Sequence, residues 1–392
     1  MNEAFLLILD IDEGESKMNE NKISIEARTI HLNGTSYEAG YQLGKIIKEK
    51  PLLKERYILK ERTVDMMRIE EENELFDRWC PGLCEEIKGF ADALQVKLEN
   101  LYFYDMSYLV PSCSQIALAS KVMDDQMPLL VRNYEYAIEQ EDFSLVKTAL
   151  CGKYKHMGTS MLEFGRDEGI NEHGFAVTMT SCGLPVVKLP HMKEPKVKGV
   201  QYWIVIRALL ENCKDVNEAL NYIKDMPIAF NMNMLLLDKD ENMALVQTMD
   251  GKIAVKRNNG KDQESILYTT NHAVLPDFKH LESRAFRHSI GRYQFIEKQL
   301  KDKHNITRAQ LKSMLLEKYP EGLCFHNYQE SFGTTKSILL SPLEGTLEIC
   351  WGGHFENQWR RYAFDQIEAD EEFNIELNIE QTQADIFDWQ SF

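Results

Sequence analysis

The pattern of apolar residues changes at Val110-Pro111, and this change restricts the fold more than any other feature of the sequence. Before it, apolar side chains recur at helical spacing from about Leu52 to Met67 and from about Leu75 to Leu94. After it, short runs rich in β-branched residues are separated by turn residues, which is typical of strands. Hairpin-like runs followed by pairs of helices favour antiparallel sheets covered by helices over alternating β-α-β units. We therefore expect an α+β fold.

One strand and one helix are predicted ahead of the helical region. Residues 23–32 alternate and are rich in β-branched side chains, so they predict a strand. Thr35 or Ser36 can then cap a helix that runs through Lys48. Glu38 stands where a carboxylate completes a capping box.

Further elements are predicted in the rest of the chain, which has no internal repeat and no low-complexity segment. Strands are expected at 113–120, 128–136, 158–164, 174–180, 232–237, 243–248, 253–257, 334–341 and 345–351. Helices are expected at 201–213, 215–225, 281–301 and 307–318, the second capped by Asp215. The last twenty residues are acidic, and we expect them to form a loosely docked tail.

Charge and hydropathy limit the partners of the chain. The net charge of −17 over 392 residues argues against nucleic acid and anionic membranes. No apolar run approaches the roughly 20 residues of a membrane-spanning helix. The apolar patch Phe5–Leu9 lies among acidic residues, unlike a secretory signal, so we expect a cytoplasmic protein. Met18 is an alternative start, which would make residues 1–17 dispensable.

The eight cysteines lack the spacing of a disulfide-rich domain. We expect most of them to be reduced and buried. Cys80 and Cys84 are separated by three residues and are not followed by a second pair, so a structural zinc site is not expected. Phosphate-binding glycine loops and the HExxH, GxSxG and EF-hand patterns are also missing from the sequence. No metal and no bound cofactor are therefore expected.

Three segments combine residue types that suit nucleophilic chemistry: Pro111–Ala117, Val131–Glu135 and Tyr268–His272. A hairpin that turns near 124–126 would bring Arg132 and Glu135 within reach of Cys113. Asn271 supplies an amide N–H donor of the kind an oxyanion hole requires.

No histidine is paired with Cys113 by local sequence. A cysteine made N-terminal by chain cleavage carries its own base, because a free α-amino group has a pKa of about 7.7–8.0. Structural alternatives stay open for each residue: a buried apolar Cys113, a surface ion pair of Arg132 with Glu135, and a turn-capping Asn271. His272, His280 and His288 recur every eight residues, which does not keep one helix face, so we interpret them as solvated or structural.

From about residue 30 to about residue 350, the chain resembles the choloylglycine hydrolase superfamily, in particular its isopenicillin-N acyltransferase (acyl-coenzyme A:6-aminopenicillanic acid acyltransferase) branch. The order and separation of the motifs carry the resemblance. The motifs are Gly34–Gly44, Glu85–Ala91, Arg132-Asn133-Tyr134-Glu135, Gly169–Gly174 and Thr270-Asn271-His272.

The resemblance implies a four-layer αββα N-terminal-nucleophile (Ntn) hydrolase sandwich that is cleaved autocatalytically between Ser112 and Cys113. Cys113 would be both nucleophile and N-terminal base, with Arg132 beside the thiolate. Glu135 would hold the α-amino group, and Asn271 would donate to the oxyanion. Residues 1–112 would form a mostly helical segment that is cleaved but retained, and 113–392 the catalytic segment, in one compact unit.

The implied reaction is hydrolysis or acyl transfer at linear, non-peptide C–N amide bonds through an acyl-thioester. The implied partner is a small N-acyl amide or acyl-thioester, and a coenzyme A thioester would be the acyl donor if transfer dominates. Homo-oligomerisation stays open.

The sequence departs from the family pattern twice. Glu135 stands where the family usually has aspartate, and the family's late arginine has no clear counterpart in 331–336, where Lys336 is the available substitute. Two other functions stay open, and the missing late arginine supports the second of them. One is a papain-like thiol peptidase that uses a later histidine, and the other is a catalytically silent relative that binds a small molecule.

Overall fold

A computed structural model describes residues 22–59, 63–101, 113–183, 196–259, 264–330, 332–366, 369–380 and 384–391. The helices are α1 (Ser36–Lys48), α2 (Pro51–Tyr57), α3 (Met66–Trp79), α4 (Leu83–Leu94), α5 (Tyr202–Asn212), α6 (Val216–Ile223), α7 (Pro276–Lys279), α8 (Arg287–Leu300) and α9 (Arg308–Leu316). No helix among these residues combines the length and apolar content needed to cross a membrane.

The first nine strands are β1 (Lys22–Gly34), β2 (Ser114–Leu118), β3 (Leu129–Tyr136), β4 (Ser144–Leu150), β5 (His156–Met161), β6 (Gly165–Asn171), β7 (Phe175–Ser181), β8 (Met232–Asp238) and β9 (Asn242–Met249). The others are β10 (Lys252–Asn259), β11 (Ile266–Thr269), β12 (Arg284–Phe286), β13 (His326–Asn327), β14 (Phe332–Ser341), β15 (Thr346–Trp351), β16 (Arg360–Ala363), β17 (Glu371–Asn378) and β18 (Trp389–Ser391).

Most of these strands belong to two sheets. The larger sheet has the order β10-β9-β8-β7-β6-β5-β4-β1-β17, and the pairing of β1 with β4 is parallel. The smaller sheet has the order β11-β2-β3-β14-β15-β16, and β13 pairs with β14. A separate ribbon joins β12 to β18.

The two sheets pack face to face, and helices cover both outer faces. Residues such as Leu145 and Leu235 of the larger sheet share an apolar cluster with Leu130 and Ile338 of the smaller sheet. Helices α1 to α6 cover the other side of the larger sheet, and α8 and α9 cover the smaller sheet. Because side chains alternate along a strand, one face of each strand enters the inter-sheet core and the other meets a helix. The four layers confirm the expected αββα sandwich.

Helices α1 and α4 approach each other closely because of two glycines. A Cβ atom on Gly40 would lie 1.8 Å from the Glu86 carbonyl oxygen, and one on Gly89 would lie 2.1 Å from the Tyr37 carbonyl oxygen. The N-terminus of α1 carries the predicted capping box, in which Thr35 and Glu38 bond each other's backbone N–H. Local sequence thus sets where α1 begins, and the glycines set how closely it packs.

Three predicted helices are divided or begin later than expected. The helix predicted from Leu52 to Met67 is wrong as a continuous element, because α2 ends at Tyr57 and Asp65 caps a new helix, α3. The helix predicted over 75–94 is divided at Cys80-Pro81-Gly82, where Gly82 has a φ of +93°. Helix α8 begins at Arg287, since 284–286 pair with β18.

The loosely docked C-terminal tail is also a wrong prediction. Strand β17 pairs with β1 from Lys22↔Asn378 to Thr29↔Glu371, and the ribbon includes β18. Ile375 and Leu377 of β17 are buried in the inter-sheet core. Alternating apolar residues therefore give this acidic segment an inward face that the net charge concealed.

Candidate active site

Cys113 lies directly before β2, and its side chain is buried. Strands β2 and β3 pair as a hairpin with Ser114 opposite Asn133, as the turn near 124–126 predicted. This pairing brings the Arg132 guanidinium to the thiol, with Nη2 3.2 Å from Sγ. Ser112, and therefore the Ser112–Cys113 bond, lies outside the described residues.

Groups of the larger sheet hold Arg132 in place. Its Nη1 donates to the Asp167 carbonyl oxygen at 2.9 Å and to the Glu168 carboxylate. Its Cζ lies 4.5 Å from the centre of the Tyr134 ring. A guanidinium presents its donors in a rigid plane, so these contacts fix the direction in which Nη2 points at Cys113.

Burial and Arg132 act on the Cys113 thiol in opposite directions. Burial raises the pKa of the thiol to about 11, although the neighbouring guanidinium favours the thiolate. In this environment the thiol therefore keeps its proton at neutral pH, and a nucleophilic thiolate requires a base close to Sγ.

Glu135 lies three residues after Arg132 and is buried. Its carboxylate accepts hydrogen bonds from Arg292 Nη1 at 2.8 Å and from Thr334 Oγ1 at 3.0 Å. Burial raises the pKa of Glu135 to about 7, although Arg292 and Thr334 favour the ionised form. The charge of this carboxylate therefore changes near neutral pH.

The sequence prediction did not include Arg292. This fully buried residue of α8 donates to Asn271 Oδ1 at 2.8 Å as well as to Glu135, and thus joins two predicted site residues. The helical pattern of the sequence around Arg292 nevertheless contains a signal for its role. His288, Arg292 and Ile296 share the buried face of α8, and a charged residue on such a face requires a buried partner.

Asn271 follows β11, which pairs antiparallel with β2 through Thr269↔Gln115. The same register, continued past these pairs, brings the Asn271 end of β11 to the Cys113 end of β2. Asn271 Nδ2 donates to Ser181 Oγ at 3.0 Å, and its backbone N–H donates to Ser289 Oγ at 2.9 Å. The predicted residues thus lie in one region. Arg132 contacts the thiol, and Arg292, which was not predicted, connects Glu135 with Asn271.

Lys336, the proposed substitute for a late arginine, lies near Arg132, because both cations contact Asp167 and the Tyr134 ring, whose centre is 4.2 Å from Lys336 Nζ. Its ammonium bonds both oxygens of Glu141 at 2.9 and 3.0 Å and Asp167 Oδ2 at 2.8 Å. Burial raises the pKa of Asp167 to about 7, and the Lys336 ammonium opposes this shift. The cation that pairs with Glu135 is Arg292, whereas Lys336 pairs with Glu141 and Asp167.

Within the described ranges, no histidine ring hydrogen-bonds the Cys113 thiol. His272 and His288 are buried and not solvated. Burial lowers the pKa of His272 to about 4 and holds the pKa of His288 well below its usual value. A cysteine–histidine contact does occur between Cys324 Sγ and His326 Nε2, at 3.2 Å. Burial raises the pKa of that thiol and lowers the pKa of that imidazole, which disfavours a thiolate–imidazolium pair.

In the part of the chain that the structure describes, no cluster of three or more histidine, cysteine or acidic side chains is arranged to hold a metal ion. The groups around Cys113 are cations, carboxylates and amides. Such groups can orient a thiol and stabilise developing negative charge.

A sequence model of the acyl-coenzyme A:6-aminopenicillanic acid acyltransferase family matches residues 122–355, more than half of the chain. The chain belongs to this family. The resemblance to the choloylglycine hydrolase superfamily is thereby confirmed, and members of the acyltransferase family are amide hydrolases or acyltransferases that act on small acyl compounds. The matched range includes the site residues Arg132, Glu135, Asn271 and Arg292, whereas Cys113 lies before its first residue.

Solved structures show more distant similarity to this member of the family, and no curated protein matches it. A mutant of the conjugated bile acid hydrolase from Clostridium perfringens is 12% identical, with a TM-score of 0.43 over 69% of this chain and 99% of that one. The Caenorhabditis elegans ortholog of N-acylethanolamine-hydrolyzing acid amidase is 14% identical, with a TM-score of 0.41 over 59% and 93%. Penicillin V acylase from Agrobacterium tumefaciens is 13% identical, with a TM-score of 0.35 over 62% and 76%.

Proposed function

We propose that the protein is an Ntn cysteine amidohydrolase or acyltransferase that acts on linear, non-peptide C–N amide bonds. Autocatalytic cleavage between Ser112 and Cys113 frees the α-amino group of Cys113. The thiol then attacks the acyl carbonyl and forms a thioester, which water or an acceptor amine resolves. The substrate is a small N-acyl amide or an acyl-thioester such as an acyl-coenzyme A.

The contact between the buried Arg132 Nη2 and the buried Cys113 Sγ, at 3.2 Å, is the observation that carries the proposal. A buried guanidinium that points at a thiol favours the thiolate. The chain of contacts from Glu135 through Arg292 to Asn271 adds a carboxylate and an amide to the same region.

The α-amino group is the base that this site requires. Burial raises the pKa of the thiol to about 11, and no histidine of the described ranges is hydrogen-bonded to it. A free α-amine with a pKa of about 7.7–8.0 is unprotonated in a useful fraction at neutral pH and belongs to the same residue as the thiol. Glu135 holds this amine, and its charge depends on pH in the same range.

The Asn271 amide stabilises the oxyanion of the tetrahedral intermediate. An amide nitrogen carries two N–H groups. Asn271 Nδ2 donates to the carbonyl oxygen and the hydroxyl oxygen of Ser181 at 3.3 and 3.0 Å, and in the proposed mechanism the oxyanion replaces one of these acceptors. Arg292 bonds Asn271 Oδ1 at 2.8 Å and thereby fixes which end of the amide is the donor. Donors that are already oriented cost no reorganisation when charge develops.

Mass spectrometry under denaturing conditions tests the proposal. Wild-type protein should give two chains whose junction is Ser112–Cys113, and Cys113→Ala should give one. Incubation with a panel of acyl amides and acyl thioesters should add one acyl mass to the chain that begins with Cys113. Active wild-type protein with residue 112 still joined to residue 113 would contradict the mechanism.

A catalytically silent binding relative is the second candidate, and the full burial of Cys113 favours it. In that case the thiol stays protonated and inaccessible. Alkylation with iodoacetamide distinguishes the two candidates. An enzyme should lose activity as Cys113 is modified, whereas a binding protein should show an uncleaved chain and an unmodified Cys113.

A further inference from the structure

Asn233 of β8 is a fully buried amide whose side chain reaches from the larger sheet to the smaller one. Its Nδ2 donates to the Thr270 carbonyl oxygen at 2.8 Å and to Thr180 Oγ1 at 3.0 Å. Thr180 Oγ1 donates to the same carbonyl at 2.6 Å. Gln247 Nε2 donates to Asn233 Oδ1 at 2.6 Å and so fixes the orientation of the Asn233 amide. Asn233 and Thr180, both on the larger sheet, therefore hold the carbonyl group of Thr270, the residue directly before Asn271.

The same residue also contacts the strand of the nucleophile. The Asn233 carbonyl oxygen accepts a hydrogen bond from Gln115 Nε2 at 3.1 Å, and Thr178 Oγ1 donates to Gln115 Oε1 at 2.5 Å. Gln115 lies two residues after Cys113 on β2. Asn233 is thus bonded to both segments that carry the proposed chemistry, one through its side chain and the other through its backbone.

This polar cluster lies in the core between the two sheets, beside apolar side chains. The surrounding inter-sheet core is formed by apolar residues such as Ala117, Leu235 and Leu267. Buried amides in such surroundings cost free energy unless all their hydrogen bonds are made, and they then specify one arrangement of the groups they bond. An oxyanion donor must lie about 2.7–3.1 Å from the developing charge, so its backbone must be held as firmly as its side chain.

We propose that Asn233 is a positioning residue that sets the distance between Cys113 and Asn271. It fixes the Thr270 carbonyl on one side and Gln115 on the other, and so keeps the oxyanion donor in place relative to the thiol. It touches neither substrate nor the reacting atoms. The proposal rests on the function proposed above.

Asn233→Asp tests the proposal because it keeps the size of the side chain and removes both N–H donors. We expect kcat to fall about 10-fold to 100-fold, because a displacement on the order of 1 Å at a catalytic group has effects of this size. The KM should change less than about twofold, since Asn233 does not contact substrate. The probes are hexanoyl 7-amido-4-methylcoumarin and p-nitrophenyl hexanoate, with rates expressed per cleaved chain.

Asn171→Asp is the matched control. Asn171 is equally buried, in β6, and its Nδ2 donates to two carbonyl oxygens, those of Leu210 at 3.0 Å and Cys213 at 2.7 Å. Its substitution removes the same kind of hydrogen bond from a place that contacts no proposed site residue. Both variants should lose thermal stability, but only Asn233→Asp should lose kcat. Equal kcat losses in the two variants would overturn the proposal.

A double-mutant cycle with Asn271→Ala distinguishes positioning from a general structural effect. If Asn233 acts through Asn271, Asn233→Asp should reduce kcat no further once the Asn271 amide is removed. Effects that multiply would show independent action and overturn the proposal. Thr180→Val removes the second donor to the Thr270 carbonyl, and the same cycle with this variant decides the outcome if Asn233→Asp does not fold.

Cys113→Ala separates failure of this inference from failure of the proposed function. If Cys113→Ala hydrolyses the probes as fast as wild type, the proposed function is wrong. If Cys113→Ala is inactive while Asn233→Asp behaves like Asn171→Asp, the thiol mechanism stands and the positioning role alone is refuted.

Discussion

Single residues of the candidate site carry charges that burial keeps away from water. Glu135 shows the effect most directly, because its pKa of about 7 exceeds the ordinary value of about 4.3 even though Arg292 lies 2.8 Å away. Between these two values the folded protein binds more protons at this carboxyl than the unfolded chain does. Its contribution to stability therefore decreases as the pH rises through this interval. The ionised form, which the proposed mechanism requires, predominates only above about pH 7.

The pH dependence of activity should report this titration. Activity requires an ionised Glu135 and an unprotonated α-amine on Cys113, two groups that titrate close together. The slope of log(kcat/KM) against pH should therefore approach about 2 on the acidic side in wild type and about 1 in Glu135→Gln. Steady-state kinetics between pH 5 and pH 9 on an acyl-coumarin amide measure this, with the cleaved fraction quantified at each pH. An unchanged slope in the variant would show that Glu135 does not titrate in the mechanism.

Arg292→Lys should separate charge from geometry. A lysine keeps the positive charge but cannot bond Glu135 and Asn271 at the same time with the rigid fork of a guanidinium. Loss of one charge-assisted hydrogen bond, about 1.5–3 kcal/mol, predicts a decrease in kcat of about 10-fold to 100-fold. Arg287→Lys on the same helix is the control, because Arg287 is exposed and bonds Asp385. A variant of Arg292 as active as this control would exclude the bridging role.

At the scale of secondary-structure elements, the prediction from sequence succeeded where local signals act alone. The capping box of α1, the β2–β3 hairpin and the strands β8, β9 and β10 follow from capping residues, turns and alternating side chains. Strand β6 was not predicted, because Arg166, Asp167 and Glu168 give it the composition of a surface loop, yet all three are buried. Their partners, Arg132 and Lys336 among them, lie on other strands far away in sequence. Such pairings are not visible in one sequence.

The same limit applies to the site. Cys113, Arg132 and Glu135 belong to one hairpin, so a turn between two strands was enough to bring them together. Arg292 reaches the site from a helix 157 residues after Glu135, and only the folded structure shows which carboxylate it meets. Asn233 enters from the opposite sheet and was not predicted for the same reason.

The contact between α1 and α4 should depend on the glycines at their crossing. Gly89→Ala places a methyl group 2.1 Å from the Tyr37 carbonyl oxygen, which the two helices can accept only by separating. We expect a loss of about 1–3 kcal/mol in the free energy of unfolding. Lys88→Ala, at an exposed position of α4, should stay within about 0.5 kcal/mol of the parent. Urea unfolding in the Cys113→Ala background keeps the measurement to one uncleaved chain, and equal stabilities would show that the crossing adapts.

At the scale of the whole molecule, the described residues before and after Cys113 share the larger sheet and one apolar cluster. Strand β1 lies between β4 and β17 of the later segment. Arg207 of α5 bonds Glu86 of α4 at 2.5 Å, and Tyr57 bonds Asp142 at 2.6 Å, all four side chains being buried. Removing one partner of a buried ion pair lowers the free energy of unfolding strongly, on the order of 3–5 kcal/mol. We therefore propose that the N-terminal segment stays bound after cleavage.

Thermal unfolding should reveal this association through its dependence on protein concentration. Unfolding of a cleaved protein releases two chains, so dilution favours the unfolded state, whereas an uncleaved chain unfolds without dissociation. A tenfold dilution changes the free energy by about 1.4 kcal/mol, which for a chain of this length lowers the Tm by about 2 °C. Differential scanning calorimetry of wild type and Cys113→Ala over a range of concentrations measures the difference. A dilution effect shared by both proteins would indicate a homo-oligomer. A wild-type Tm independent of concentration, in protein shown to be cleaved, would mean that β1 does not hold the two chains in one folding unit.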